Sequence, residues 1–282
     1  MISDVKAHIA LLRIRAEQGL RDRLRASDMP GRALDVRSDD IFIVSYPKSG
    51  NTWVRFLIAS LLHPESPTDF GNIDVRCPTI YKTTNNELRV LPGPRVLKSH
   101  EYFDPRYPRV INVVRDPRDV LVSYFYYLRR KGSVDADSIE RFAEKFMTGR
   151  LNDFGTWHEN VSSWLAARGE RDGFLLVRYE DLLRDGVGEL ARIAEFLGHR
   201  RAPQQLGVIV EQCSFDSMRE SETRTGAQSR HLNSKRNDIG FVREGKSGGW
   251  KTELPVEVSS RLEQSWGSLI ERLGYPITSS RG

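Results

Sequence analysis

A chain of 282 residues, 39% apolar and 29% charged, with 22 Gly and 13 Pro, has the proportions of an ordinary folded protein and excludes collagen, coiled coil and disorder. Its net charge of +5 hints at anionic ligands but is too small for a nucleic-acid coat. The two cysteines, Cys77 and Cys213, have no His or Cys at ligand spacing, so neither a disulfide scaffold nor a thiolate metal site is expected.

The run Phe56–Leu62 spans seven residues, against the ~20 that a membrane helix needs. With no basic-apolar-small leader pattern at the N-terminus, the chain is expected in the cytosol. Residues 4–28 alternate apolar and basic side chains at helical spacing, and 1–38 read as a helical extension packed on its own domain. The β-branched run Ile41–Ser45 predicts a strand buried on both faces. It is followed at once by the loop Tyr46–Gly50 and a helix over Asn51–Leu62.

Further strands are predicted at Arg95–Lys98, Val110–Val114 and Phe174–Val177, with helices at Asp119–Arg130, Ile139–Met147, Trp157–Ala167, Val187–Leu197, Gln204–Gln212 and Val256–Leu273. This alternation predicts a single α/β domain, residues 1–282, with a central parallel sheet flanked by helices and a P-loop-like strand-loop-helix anion site. Lys48, His100, Arg115 and Tyr179 each follow a strand, at the sheet edge where ligands bind in such folds. Residues 219–249 show no convincing element and carry seven Lys/Arg against four acids, the composition of a lid over an anionic ligand.

In Tyr46-Pro47-Lys48-Ser49-Gly50-Asn51-Thr52-Trp53, unpaired N–H groups at a helix start, a lysine and two hydroxyls suit a phosphate or sulfate. The plainer reading is that Ser49 or Asn51 caps the helix. Lys48 precedes Gly50, unlike the Walker A order. Arg115 is delivered by the strand 110–114 and Ser123 lies two turns along the next helix, so a guanidinium and a hydroxyl can take a second phosphate. An Arg115–Asp119 ion pair is the alternative.

Four blocks carry a resemblance over residues 39–273: YPKSGNTW (46–53), PRVLKSH (94–100), Arg115 to Ser123, and FVREGKSGGWK (241–251). In this order and spacing the chain resembles the cytosolic sulfotransferases, which move a sulfuryl group from 3′-phosphoadenosine 5′-phosphosulfate (PAPS) to an acceptor, leaving 3′-phosphoadenosine 5′-phosphate (PAP). The resemblance implies that residues 46–52 (Pro47, Lys48, Ser49, Gly50, Asn51 and Thr52 among them) cradle the 5′-phosphosulfate. Arg115, Ser123, Arg243 and the backbone around Gly245 would hold the 3′-phosphate. Trp53 and Phe215 would sandwich the adenine, with Tyr179 on its edge. It further implies His100 as catalytic base, with Lys48 on the bridging oxygen and Lys98 assisting, and no metal.

Some positions depart from the family pattern. Asn51 stands where Thr is commoner, Cys213 where a Thr often contacts the base, and Glu244 puts an acid beside the expected 3′-phosphate. The family's dimerisation pattern after Trp250-Lys251 is absent. A P-loop small-molecule kinase would need Gly-Lys-Ser/Thr and a carboxylate for Mg²⁺, and a non-catalytic nucleotide-binding protein would dispense with Lys48 or His100. The acceptor is expected to be a small-molecule alcohol or amine. Tyr81, Tyr102, Phe103, Phe125, Tyr126, Phe154 and Trp157 are the aromatic candidates for its pocket.

Overall fold

β1 (Ile41–Val44) is buried at all four positions and pairs with a strand on each side, β2 (Val96–Ser99) and β3 (Arg109–Val114); β4 (Phe174–Arg178) completes the order β2-β1-β3-β4, all parallel. A strand with neighbours on both edges and helices on both faces has no solvent side, so it reads Ile-Phe-Ile-Val without alternation. This computed structural model describes residues 33–133, 138–169, 171–225, 232, 240–243 and 245–278. The helix expected over 4–28 and Glu244 lie outside the described residues.

The helices are α1 (Asn51–Leu62), α2 (Ile73–Arg76), α3 (Asn85–Arg89), α4 (Pro117–Arg130), α5 (Ile139–Met147), α6 (Trp157–Arg168), α7 (Tyr179–Arg184), α8 (Gly186–Leu197), α9 (Pro203–Gln212), α10 (Phe215–Thr225), α11 (Trp250–Glu253) and α12 (Val256–Arg272). Successive β1 side chains part to opposite faces. Ile41 and Ile43 join a core with α1, α8 and α9, while Phe42 and Val44 join Leu97, Tyr107 and Trp164. A third cluster gathers α4, α5, α6 and α12 around Val114 and Tyr46.

Register sets the site. Val44 lies opposite Ser99 and Asn112, and Val114 opposite Arg178, so the strands deliver residues 45–48, 100, 115 and 179 to one edge. α4 begins at Pro117, with the Asp116 carboxylate accepting from the Arg118 N–H at 3.0 Å. The fully buried Arg118 guanidinium pairs with Asp116 (2.9 and 2.7 Å) and Glu263, donates to the Pro276 carbonyl (2.8 Å) and lies 3.9 Å from the Trp250 ring centroid.

The predicted strands and long helices are present with ends shifted by at most two residues. The reading of 219–249 as structureless is corrected at its start, because α10 runs on to Thr225. Its buried stripe is Met218, Ser221 and Thr225, and small hydroxylated residues give no hydrophobic period. Ser221 is held instead by accepting the Phe70 N–H at 3.1 Å.

Candidate active site

The strand-loop-helix start is built for a ligand. Lys48 has a left-handed φ of 70°, sparsely used outside glycine, and Gly50 has φ 97°. A Cβ at Gly50 would lie 2.5 Å from the Tyr179 ring, so both backbone and packing demand glycine. Gly50 is the N-cap and no side chain caps α1, which corrects the expectation that Ser49 or Asn51 does so. Asn51 instead donates to the Ile43 carbonyl and the Ser45 hydroxyl, both at 3.1 Å. The first N–H groups of α1 thus keep their positive potential. Beside them, the Ser49 Oγ and Asn51 Oδ1 are buried with no protein partner.

Lys48 places its ammonium 4.5 Å from the Tyr127 ring centroid and 4.8 Å from that of Phe241, a cation–π cradle. Burial, then Arg115, Arg130 and Arg243, pull its pKa down to about 7. Lys98 on β2 is pulled down to about 7 as well, by burial and then by Arg55 and Lys82. A bound anion would favour the charged form of both lysines.

His100 follows β2 directly. Its Nδ1 is 2.7 Å from the Ser45 carbonyl oxygen, its N–H donates to the Tyr81 hydroxyl (2.8 Å), and its carbonyl accepts from Asn160 (2.9 Å). A carbonyl can only accept, so Nδ1 carries a hydrogen, which in the neutral ring leaves the lone pair on Nε2. Tyr81 and Phe154 flank the ring, at 6.2 and 5.5 Å between centroids.

Arg115 lies 4.3 Å from the Tyr179 ring centroid and donates to the Lys246 carbonyl at 2.8 Å. No Arg115–Asp119 pair forms. Asp119 instead accepts from the Gly248 (2.7 Å) and Trp250 (3.0 Å) N–H groups and ties down the segment after Gly245. Upstream, Glu222 on α10 accepts from the Phe241 (2.8 Å) and Val242 (3.0 Å) N–H groups. Arg243 is engaged bidentately by Glu253 at 2.9 and 3.0 Å and lies 4.4 Å from the Tyr126 ring centroid.

A cavity of about 300 Å³ joins these groups. Pro47, Lys48, Gly50, Asn51, Thr52, Trp53, Lys98, His100, Arg115, Ser123, Tyr179, Phe215, Arg243 and Gly245 all line it. Ser49 is in the loop but not on the cavity wall. The expected aromatic sandwich is closed here: Trp53 and Phe215 centroids are 5.2 Å apart, while an inserted base needs two contact gaps of about 3.5 Å each. Gly245 (φ 65°) backs onto Phe215, where a Cβ would lie 2.2 Å from the ring. Cys213 gives its carbonyl to the Trp53 indole N–H (2.9 Å) and turns its thiol to Ser60.

Of the aromatic candidates, Phe154 lines the cavity, whereas Trp157 is core and Phe125 and Tyr126 lie on the other side of α4 from the lining residues Tyr124 and Tyr127. One-in-four spacing left that face ambiguous in sequence. Asn160, Glu222 and Glu253 carry no local motif and were not legible as site residues, while Asp119, within the Arg115–Ser123 block, was read as a partner for Arg115 and not for the Gly248 and Trp250 N–H groups. Capping at Thr156–Glu159 sets the start of α6 and was the one signal near Asn160. Among the described residues no His/Cys/Asp/Glu cluster is suited to a metal ion, and no helix is long and apolar enough to cross a membrane.

Residues 38–274 match the family model described as the sulfotransferase domain. Human sulfotransferase 2B1 is 31% identical over 82% of this chain, which spans 66% of that relative's length. The amine sulfotransferase of Oryctolagus cuniculus is 27% identical over 82% of this chain and 80% of its own. Among solved structures, mouse sulfotransferase SULT7A1 complexed with PAP is similar with TM-score 0.68 and 25% identity, over 86% of this chain and 87% of its own. Retinol dehydratase in complex with androsterone and PAP shares the fold, with TM-score 0.73 and 21% identity over 90% of this chain and 86% of its own.

Proposed function

The chain belongs to the sulfotransferase domain family, and from that premise we propose that it transfers the sulfuryl group of PAPS to a hydroxyl or amine of a small-molecule acceptor, with His100 as base. The observation that carries this reading is the convergence of Lys48, Lys98, His100 and Arg115 on one cavity at the level ends of four parallel strands. The loop fits an anion, since no side chain caps the first N–H groups of α1, the buried Ser49 hydroxyl has no partner, and burial with neighbouring cations depresses two lysines beside it.

PAPS supplies an activated sulfuryl group whose departure leaves negative charge on the oxygen bridging sulfur and phosphorus. Lys48 stands at the loop to meet that charge, and Lys98 adds a second cation on the same wall. His100 Nε2 takes the proton from the attacking hydroxyl or amine, its tautomer held by the Ser45 carbonyl. Arg115 and Ser123 hold the 3′-phosphate, joined by Arg243 and the Gly245 backbone. Trp53, Phe215 and Tyr179 hold the adenine once Phe215 moves off Trp53. Among the described residues, 240–243 and 245–249 act as the lid, latched by Glu222 and Asp119.

Kinase chemistry finds little support, because Asp116 is spent on Arg118 and Asp119 on backbone N–H groups. Two unpaired buried thiols suit a reducing cytosol. The test is titration calorimetry without Mg²⁺, comparing PAP with ATP. Preference for PAP supports the reading, and preference for ATP overturns it. Transfer from PAPS to a panel of alcohols and amines then identifies the acceptor.

A further inference from the structure

Arg243 and Arg115 face the same cavity but are engaged differently. Arg115 donates to a neutral acceptor, the Lys246 carbonyl. Arg243 gives Nη1 and Nη2 to the two oxygens of Glu253, at 2.9 and 3.0 Å, with the Tyr126 ring against its face. A carboxylate that pairs both terminal nitrogens presents the same two-oxygen fork that a phosphate presents to arginine. Glu253 therefore takes the Nη1–Nη2 edge of Arg243, one of the two forks that guanidinium can offer a phosphate, and its charge opposes any dianion brought alongside.

We infer that Glu253 is an affinity-setting residue, an internal competitor that weakens the grip of Arg243 on the 3′-phosphate shared by donor and product. This rests on the donor-site reading above and extends it. The pair is reversible by construction: the side chains of Arg243 and Glu253 are 28% and 20% exposed, so water screens the bond and a ligand phosphate can exchange with it. Glu253 ends the short helix α11, whose first N–H is held by Asp119. The carboxylate thus stays in place while Arg243, on the segment between Glu222 and Asp119, changes partner. One consequence is easier release of the bisphosphate product, a step that often limits turnover.

The experiment measures, by calorimetry on the full chain, the affinities of PAP and of AMP, which lacks the 3′-phosphate, for wild type, E253Q and E253A. The expected result is about fivefold tighter PAP binding in both variants, the factor typical of an ion pair this exposed, with AMP unchanged. The two variants guard against a folding artefact, since alanine removes the amide acceptor that glutamine keeps. Unchanged or weaker PAP binding in both overturns the inference, as does equal tightening of AMP. If wild type does not prefer PAP to AMP, the donor-site reading itself falls, an outcome distinct from a wild type that discriminates while E253Q gains nothing.

Discussion

The imidazole of His100 and the backbone carbonyl of Ser45 meet at 2.7 Å across the ends of neighbouring strands. The contact lies in the main chain, so no side-chain substitution at position 45 removes it, and the sheet register itself orients the base. His100→Ala is expected to lower transfer by about 10²- to 10⁴-fold, the usual contribution of a positioned general base, while PAP binding stays within about twofold. Single-turnover transfer and calorimetry on the same preparation check this. Equal loss of both would make His100 a structural residue.

Arg115 should show the opposite split. A charge-assisted hydrogen bond contributes about 1.5–3 kcal/mol, so Arg115→Ala is expected to weaken PAP roughly 10- to 100-fold and AMP hardly at all. Arg115→Lys keeps the charge but loses the fork and should recover only part. The ratio of the two dissociation constants is the readout.

Lys48 gives a pH prediction with a definite sign. Its folded pKa is about 7 against about 10.4 in an unfolded chain. Between these values the unfolded state binds more protons, so this lysine makes stability rise with pH through that window and costs most below it. Lys48→Met should raise the Tm of the ligand-free protein, more at about pH 6 than at about pH 9. An anionic ligand favours the charged lysine, so PAP affinity should fall as pH rises above about 7, with proton uptake visible in buffers of different ionisation enthalpy. A pH-independent affinity that persists in the variant would contradict it.

Asp119 is buried, and its two oxygens serve two backbone donors. In Asp119→Asn one oxygen becomes an amide that faces an N–H. The expected cost is about 1–3 kcal/mol in denaturant unfolding, and amide exchange at 245–250 should accelerate ahead of the rest of the chain. Uniform exchange across α4 and residues 245–250 would show that the latch is not local.

How far the sequence reached follows the range of each interaction. β1, its loop and α1 were readable because burial on both faces and helical spacing are local signals. His100 and Arg115 were readable because each directly follows a strand, and Lys48 because it lies in the loop between β1 and α1; their roles are what the resemblance implies. The missed helices α2, α3, α7 and α11 span six residues or fewer, too short to display a period, and the eleven-residue α10 was missed because its buried stripe of Met218, Ser221 and Thr225 carries no hydrophobic period. Glu222 and Glu253 escaped because their partners depend on the return path of the chain. The resemblance implied that Trp53 and Phe215 stand on either side of a base; their ring centroids lie 5.2 Å apart, and no pattern in sequence tells whether two rings stand apart or touch.

The Arg118 cluster bears on how this protein can be trimmed or fused. Its guanidinium joins Asp116, one residue past Arg115, to Glu263 on α12 and to the carbonyl of Pro276, while Thr278 donates to the same Glu263. Removing residues 276–278 would therefore strip the Pro276 carbonyl from a buried cation more than 150 positions upstream and two donors from its carboxylate partner Glu263. A C-terminal tag placed on a shortened chain would register as lost nucleotide affinity, although it touches no part of the cavity.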